Sequence, residues 1–155
     1  SEMCIRDRYI CKRFENTGKH ISPELAEEIC RLVDNHSSYV QQLSWLLWIR
    51  TINTATTEQL TYALEDLLDQ NNILFQSETE NLSAYQMNFL KAIVDGIHTK
   101  FSSKEVISKY NLGTSANIVR LKNALLQKEL IETNGKEIVL ADPVFGVWFK
   151  KEMLY

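Results

Sequence analysis

The sequence lacks every short motif that would hold a phosphate chain or a catalytic metal. None of GxxxxGK[ST], GxGxxG, HExxH and GxSxG occurs among its 155 residues. His20, His36 and His98 stand far apart, so they do not have the spacing of metal ligands. These absences predict that the chain has no catalytic residues, no metal site and no cofactor of its own.

Glycine, proline and long apolar runs are also scarce. Five glycines and two prolines leave little room for disordered linkers. The densest apolar run, Trp45 to Ile49, is far shorter than the ~18 residues of a membrane span. The three cysteines form no CxxC pair, which is typical of a reducing compartment. We therefore expect a cytoplasmic protein with no membrane partner and one domain or two small ones.

The amino half of the chain is acidic and the carboxyl half is basic. Residues 1–81 hold 7 Lys and Arg against 13 Asp and Glu, whereas residues 82–155 hold 10 against 7. The basic side chains are therefore concentrated in the carboxyl half, although the net charge of the chain argues neither for nor against nucleic acid.

The amino half has the pattern of amphipathic helices. Ser22-Pro23 predicts a helix start. The segment from Tyr39 to Ile52 has almost no polar face and predicts a helix buried at the centre. Thr56 with Gln59 forms a capping box before another apolar stripe. The polar segment 70–81 is the predicted boundary between the halves.

The carboxyl half predicts three helices and a hairpin. Ser83 with Gln86, and Ser102 with Glu105, form capping boxes, and a turn at residues 111–114 precedes a third helix over about 115–128. Asn134-Gly135 between β-prone runs predicts a hairpin with a type I′ turn. The fold class is therefore mainly α, with a helical lid subdomain followed by a winged helix-turn-helix that has one β-hairpin wing.

The third of these helices is the predicted DNA-binding element. With Ile118, Leu121 and Leu125 in the core, its polar residues point mostly outward, and Asn, Gln and Arg can contact base edges in the major groove. Lysines near this helix and at the wing tip can neutralise phosphates. The predicted DNA-binding residues are Ser115, Asn117, Arg120, Lys122, Asn123, Gln127 and Lys136, and Lys104, Lys109 and Lys128 are further candidates for phosphate contacts. Polar residues occupy any exposed helix face, so a protein contact is the alternative.

The chain opens with SEMCIRDR, which has no capping residue and no helical or strand period. The stretch EMCIRD resembles the translation of a transposase adapter end used in DNA library preparation. We therefore predict that residues 1–8 are a foreign scar and that the natural chain is truncated upstream. An exposed first helical turn is the alternative.

The ordered segments resemble the carboxyl-terminal part of a prokaryotic AAA+/STAND-type P-loop ATPase family. The resemblance is carried by YICKRFENTGKHISPELAEEIC, HSSYVQQLSWLLW, LSAYQMNFLKAI, TSANIVRLKNALLQKELIE and IVLADPVFGVWFKK, and covers nearly everything from Tyr9 to Phe149. It implies an ATPase lid over residues 9–81 and a winged helix over residues 82–155.

The resemblance also implies what lies outside this chain. A P-loop ATPase domain with ATP and magnesium is expected upstream and is the expected partner of the lid. Relatives carry a Gly-x-Pro turn against the adenine, where this sequence has Asn35, His36 and Ser37, which we take as nucleotide-proximal. Ser37 lacks the fixed φ of proline.

Three functions follow. The first is a non-catalytic regulatory part of an ATPase whose winged helix binds double-stranded DNA. The second is a winged helix that serves as a protein interaction or autoinhibitory module. The third, a self-standing transcription regulator, is disfavoured by the uncapped start and the buried-looking Trp45/Trp48 helix. The sequence predicts no oligomeric state.

Overall fold

The computed structural model describes residues 4–154, which form two compact units divided between Asn71 and Asn72. Within the described residues, no helix combines the length and apolar character that a membrane crossing requires. The helices and strands are α1 (Ile5–Asn16), α2 (Pro23–Leu32), α3 (Ser37–Arg50), α4 (Thr57–Glu80), α5 (Ala84–Val94), α6 (Lys104–Tyr110), α7 (Ser115–Gln127), β1 (Ile131–Asn134), β2 (Glu137–Leu140) and α8 (Pro143–Met153).

The first unit contains α1, α2, α3 and the first part of α4. Helix α2 begins as predicted, because Ser22 Oγ accepts a hydrogen bond from Leu25 N (3.1 Å) and Pro23 occupies the first turn. Helix α2 packs against both α1 and α3. The core of this unit is formed by Ile10, Phe14, Ile21, Leu25, Ile29, Val40, Leu43, Leu47, Leu60 and Leu67.

The chain is helical from Ile5 onward, contrary to the expectation of a start without helical period, and the Cys4 side chain makes no cap hydrogen bond. Residues 5–8 form the first turn of α1, and the Asp7 carboxylate accepts a hydrogen bond from Cys4 N (3.3 Å). Asp7 is only 3% exposed. The pKa of the Cys30 thiol is raised to about 12, mainly by burial and to a smaller extent by a hydrogen bond to Asp7. Ser1, Glu2 and Met3 lie outside the described residues, and the foreign origin of the segment stays a prediction.

Helix α3 is not buried all round, which corrects a second expectation. Its buried face carries Leu43 and Leu47, whereas Trp45 and Ile49 are 59% and 49% exposed. The first unit covers only one side of α3. Because α3 has apolar residues on all sides, those on the uncovered side are in contact with water.

The predicted boundary segment is helical, because α4 continues to Glu80 without a break. The two units divide between Asn71 and Asn72, earlier than the predicted start of the winged helix at residue 82. Phe75, within the polar segment, is completely buried. The last turns of α4 are therefore part of the second unit.

An aromatic cluster joins the end of α4 to α8 in the second unit. The rings of Phe75 and Phe145 meet edge to face, with centroids 5.4 Å apart, and Trp148 lies 5.6 Å from Phe75. Trp148 Nε1 donates to Asn72 Oδ1 (2.8 Å), which satisfies the indole N–H inside the core. Asp142 caps α8 by accepting hydrogen bonds from two backbone N–H groups.

The predicted hairpin is present, with a different turn. Asn134 pairs with Glu137, so Gly135 and Lys136 are the two central residues. Gly135 has a φ of +62°, while Lys136 is not among the residues with positive φ. Glycine at the first central position is the requirement of a type II′ turn, which replaces the predicted type I′ turn. Ile138 N donates to the His98 carbonyl (2.8 Å), which attaches β2 to the preceding segment.

Candidate functional site

The turn between α6 and α7 is held by two asparagine side chains. Asn111 and Gly113 have φ values of +54° and +86°, so the chain bends sharply at both. Asn88 Nδ2 donates to the Asn111 carbonyl (3.1 Å), and Asn117 Nδ2 donates to the Leu112 carbonyl (3.2 Å). The turn is therefore fixed from α5 on one side and from α7 on the other.

A third contact connects the ends of α5 and α6. Tyr110 Oη donates to Asp95 Oδ2 (2.9 Å). Burial, together with this bond and the nearby charge of Asp95, raises the pKa of Tyr110. The helix-turn-helix is therefore a preorganised scaffold for α7.

The exposed face of α7 carries most of the predicted DNA-binding residues. Ser115, Arg120, Asn123 and Gln127 are exposed. Asn117 is half-buried, and its amide donates to the turn, so it is less available than the other four; its contact with DNA stays a prediction.

Two residues that polarity did not identify also lie on this face. Ala116 and Val119 are exposed, and Val119 has an exposed fraction of 63%. Positions 116, 119, 120, 123 and 127 lie three or four residues apart and so share one side of the helix. Apolar residues in a helical pattern are ordinarily assigned to the core, so no sequence pattern identifies these two as surface residues.

Lysines flank α7, which carries no carboxylate itself, and the exposed Glu105 and Glu129 stand beside two of these lysines. The α7 sequence, SANIVRLKNALLQ, contains neither Asp nor Glu. Lys128 is exposed just after its end, Lys122 is half-buried, and Lys104 and Lys109 are exposed on α6. These side chains can reach phosphates on either side of a groove.

The wing is less favourable to DNA than its lysine suggests. Lys136 is exposed at the tip, as predicted, but the exposed Glu137 follows it directly and Glu132 is exposed on β1. Two carboxylates against one ammonium group reduce the attraction of the wing for phosphates. Helix α7 is therefore the stronger candidate surface.

The first unit contains a cleft of about 580 Å³ between α1 and α3. Aromatic side chains line it, namely Tyr9, Trp45 and Trp48, together with the guanidinium groups of Arg6 and Arg13. Neither Asp nor Glu is among its lining residues. Aromatic rings can stack on a flat group, and guanidinium groups can pair with an anion.

One of the three predicted nucleotide-proximal residues lines this cleft. Ser37 is part of its wall and accepts a hydrogen bond from Arg6 Nη2 (2.8 Å). Arg6 also donates to the Asn35 carbonyl, and His36 packs against Tyr39 with ring centroids 4.9 Å apart. The turn at residues 35–37 is thus bonded to α1.

Among residues 4–154, no group of three or more His, Cys, Asp or Glu side chains could hold a metal ion.

Three helices, a turn and an antiparallel hairpin define a winged helix, and the predicted mainly α fold class is confirmed. A family described as "Probable winged helix domain" matches residues 73–151. This match covers just over half of the chain, so the chain belongs to that family.

Structural similarity to a known protein extends beyond the winged helix. A Walker-type ATPase of Pyrococcus abyssi has a similar structure, with a TM-score of 0.68 and 18% sequence identity. The similarity covers 94% of this chain and 41% of that protein, so the chain spans less than half of the ATPase that it resembles. No curated protein matches the sequence.

Proposed function

We propose that the chain is the non-catalytic regulatory part of an AAA+/STAND-type ATPase, and that its winged helix binds duplex DNA through α7. The winged helix family and the fold shared with part of a Walker-type ATPase support the first half. The residues of α7 support the second half.

The observation that carries DNA binding is an exposed helix face with base-reading side chains and no carboxylate. Arg120, Asn123 and Gln127 are exposed on it. Arginine forms paired hydrogen bonds with guanine, and asparagine and glutamine do the same with adenine. Together with the absence of a carboxylate from α7, these donors suit the base edges and phosphates of a duplex.

The first unit would serve as the lid of an ATPase domain that binds ATP and magnesium. Nucleotide state would bias the lid between two positions, and the winged helix would be exposed or masked accordingly. Asn35, His36 and Ser37 are the proposed nucleotide-proximal residues. Ser37 lines the carboxylate-free cleft, which supports this assignment.

A protein-interaction or autoinhibitory role for the winged helix is the second candidate. The carboxylates of Glu132 and Glu137 on the wing favour it, since they repel phosphates, and the exposed Val119 suits a protein surface equally well. A direct binding experiment separates the two candidates.

The experiment is a fluorescence anisotropy titration of the full chain with a labelled duplex, between about 50 and 200 mM salt. Affinity should fall linearly with salt on logarithmic axes. Arg120→Ala should cost about 1–3 kcal/mol on a selected site and relax its sequence preference. Lys136→Ala should weaken all duplexes alike and reduce the salt slope by about one.

Glu137→Gln is the matched control for the wing, because it removes a negative charge next to Lys136. It should tighten binding if the wing approaches phosphates and leave binding unchanged if it does not. Absence of binding to any duplex at low salt would contradict the DNA proposal and leave the interaction module.

A further inference from the structure

An apolar pair interrupts the polar exposed face of α7. Ala116 and Val119 are exposed one turn apart, and Arg120 and Asn123 lie beside them on the same side of the helix. Ile118, Leu121 and Leu125 supply the buried face, so Val119 is not needed for the core.

Single exposed apolar residues are common on protein surfaces, so exposure alone implies no function for Val119. Its position beside polar residues suited to base contacts does imply one. Val119 lies next in sequence to Arg120 and one turn from Asn123, the two residues best suited to base edges. If Arg120 and Asn123 enter a DNA groove, Val119 and Ala116 enter it with them, because all four lie on the same side of α7.

The major groove offers one apolar group, the C5-methyl of thymine. Every other recognition feature there is a hydrogen-bond donor or acceptor, so only an apolar side chain reads the methyl. A valine side chain presents two methyl groups with a nearly fixed χ1 in a helix, which makes such a contact specific.

We propose that Val119, assisted by Ala116, recognises the C5-methyl of a thymine and thereby sets part of the sequence preference. This inference rests on the proposed DNA binding by α7. Helix α7 carries Arg120 and Lys122 and no carboxylate, which argues for duplex DNA as the occupant of this face.

The test replaces thymine by deoxyuridine, which removes the methyl and keeps every hydrogen-bonding group. A site is first selected with the full chain from a random duplex library, and each thymine of that site is then replaced in turn. At one or two positions the replacement should weaken binding about fourfold, as expected for one buried methyl.

Val119→Ala should bind the thymine duplex more weakly and lose most of this fourfold discrimination. Alanine is a better helix former than valine, so the variant should fold. Gln127→Ala, on the same face two turns away, is the matched control and should keep the discrimination.

Equal affinity of the natural chain for thymine and deoxyuridine duplexes would overturn the inference while leaving DNA binding intact. A selected site without thymine, or discrimination unchanged in Val119→Ala, would also overturn it. If Val119→Ala alters the sedimentation of the free chain and not its discrimination, the pair belongs to a contact between copies. Failure of every duplex to bind at low salt would contradict the proposed function itself.

Discussion

Asn117 shows how a residue suited to base recognition can serve the scaffold instead. Its amide donates to the Leu112 carbonyl and lies against Gly113, whose added Cβ would be 3.2 Å from Asn117 Nδ2. With Asn88 bonded to the Asn111 carbonyl, two amides hold a turn that contains two residues of positive φ. The spacing of apolar residues in α7 places Asn117 near the solvent edge but says nothing about this bond.

Asn117→Ala should therefore destabilise the chain by about 1 kcal/mol, because it removes a hydrogen bond from a partly buried carbonyl. Asn123→Ala, at an exposed position of the same helix, should change stability by less than about 0.5 kcal/mol. Urea unfolding followed by circular dichroism measures both. Equal stability of the two variants would contradict the role assigned to Asn117.

Several site residues were predictable from the sequence, and others were not. Ser115, Arg120 and Asn123 are exposed as the positions of Ile118 and Leu121 predict. Ala116 and Val119 could not be assigned, because an apolar residue on a helix is ordinarily placed in the core. Only the three-dimensional arrangement shows that the core is complete without them.

At the scale of elements, α4 runs through the predicted boundary segment. The two units divide between Asn71 and Asn72, inside residues 70–81, but the chain there is helical. Residues 70–80 contain neither Gly nor Pro, and polar residues such as Gln and Glu are good helix formers. Phe75 and Asn72 join this part of α4 to α8. Those contacts connect residues more than 60 positions apart, which local patterns do not reveal.

Most helix starts were predictable, because capping depends on neighbouring residues. Ser83 Oγ accepts a hydrogen bond from Gln86 N (3.1 Å), as the capping box predicts. Helix α6 begins one residue later than predicted, since Ser103 and not Ser102 caps it through Val106 N. Adjacent serines offer the same chemistry, so the sequence does not separate them.

A fragment that begins at residue 72 should fold, whereas one that begins at residue 82 should not. The shorter fragment loses Phe75, which packs against Phe145 and Trp148, and Asn72, which accepts the Trp148 indole hydrogen bond. Loss of a buried aromatic side chain alone costs about 3–5 kcal/mol, a large part of a small domain's stability.

Circular dichroism melts and amide NMR dispersion of the two fragments test this prediction. A cooperative transition for both would contradict the assignment of the end of α4 to the winged helix. Phe75→Leu in the longer fragment is a milder variant, and it should lower the melting temperature while the fragment stays folded.

At the scale of the whole molecule, the position of the division changes the meaning of the charge distribution. Residues 72–155 hold 10 Lys and Arg against 9 Asp and Glu, a balance of +1, compared with +3 for residues 82–155. Net charge therefore gives little support to DNA binding. The local distribution on α7, which has Arg120 and Lys122 and no carboxylate, supports it instead.

The two units carry different candidate surfaces. The first has a carboxylate-free cleft that includes Trp45 and Ser37, and the second has the exposed face of α7. An ATPase-linked regulator would use the first for its nucleotide-binding domain and the second for its target. Under the proposed function, α7 is the surface that meets DNA.

The most direct test is an amide NMR titration of the full chain with a short duplex at low salt. If α7 meets DNA, chemical-shift changes should centre on residues 115–127, with smaller changes at the wing tip around Gly135 and Lys136. Changes centred on the α1–α3 cleft, or no shift changes in a large excess of duplex at low salt, would contradict DNA binding by α7.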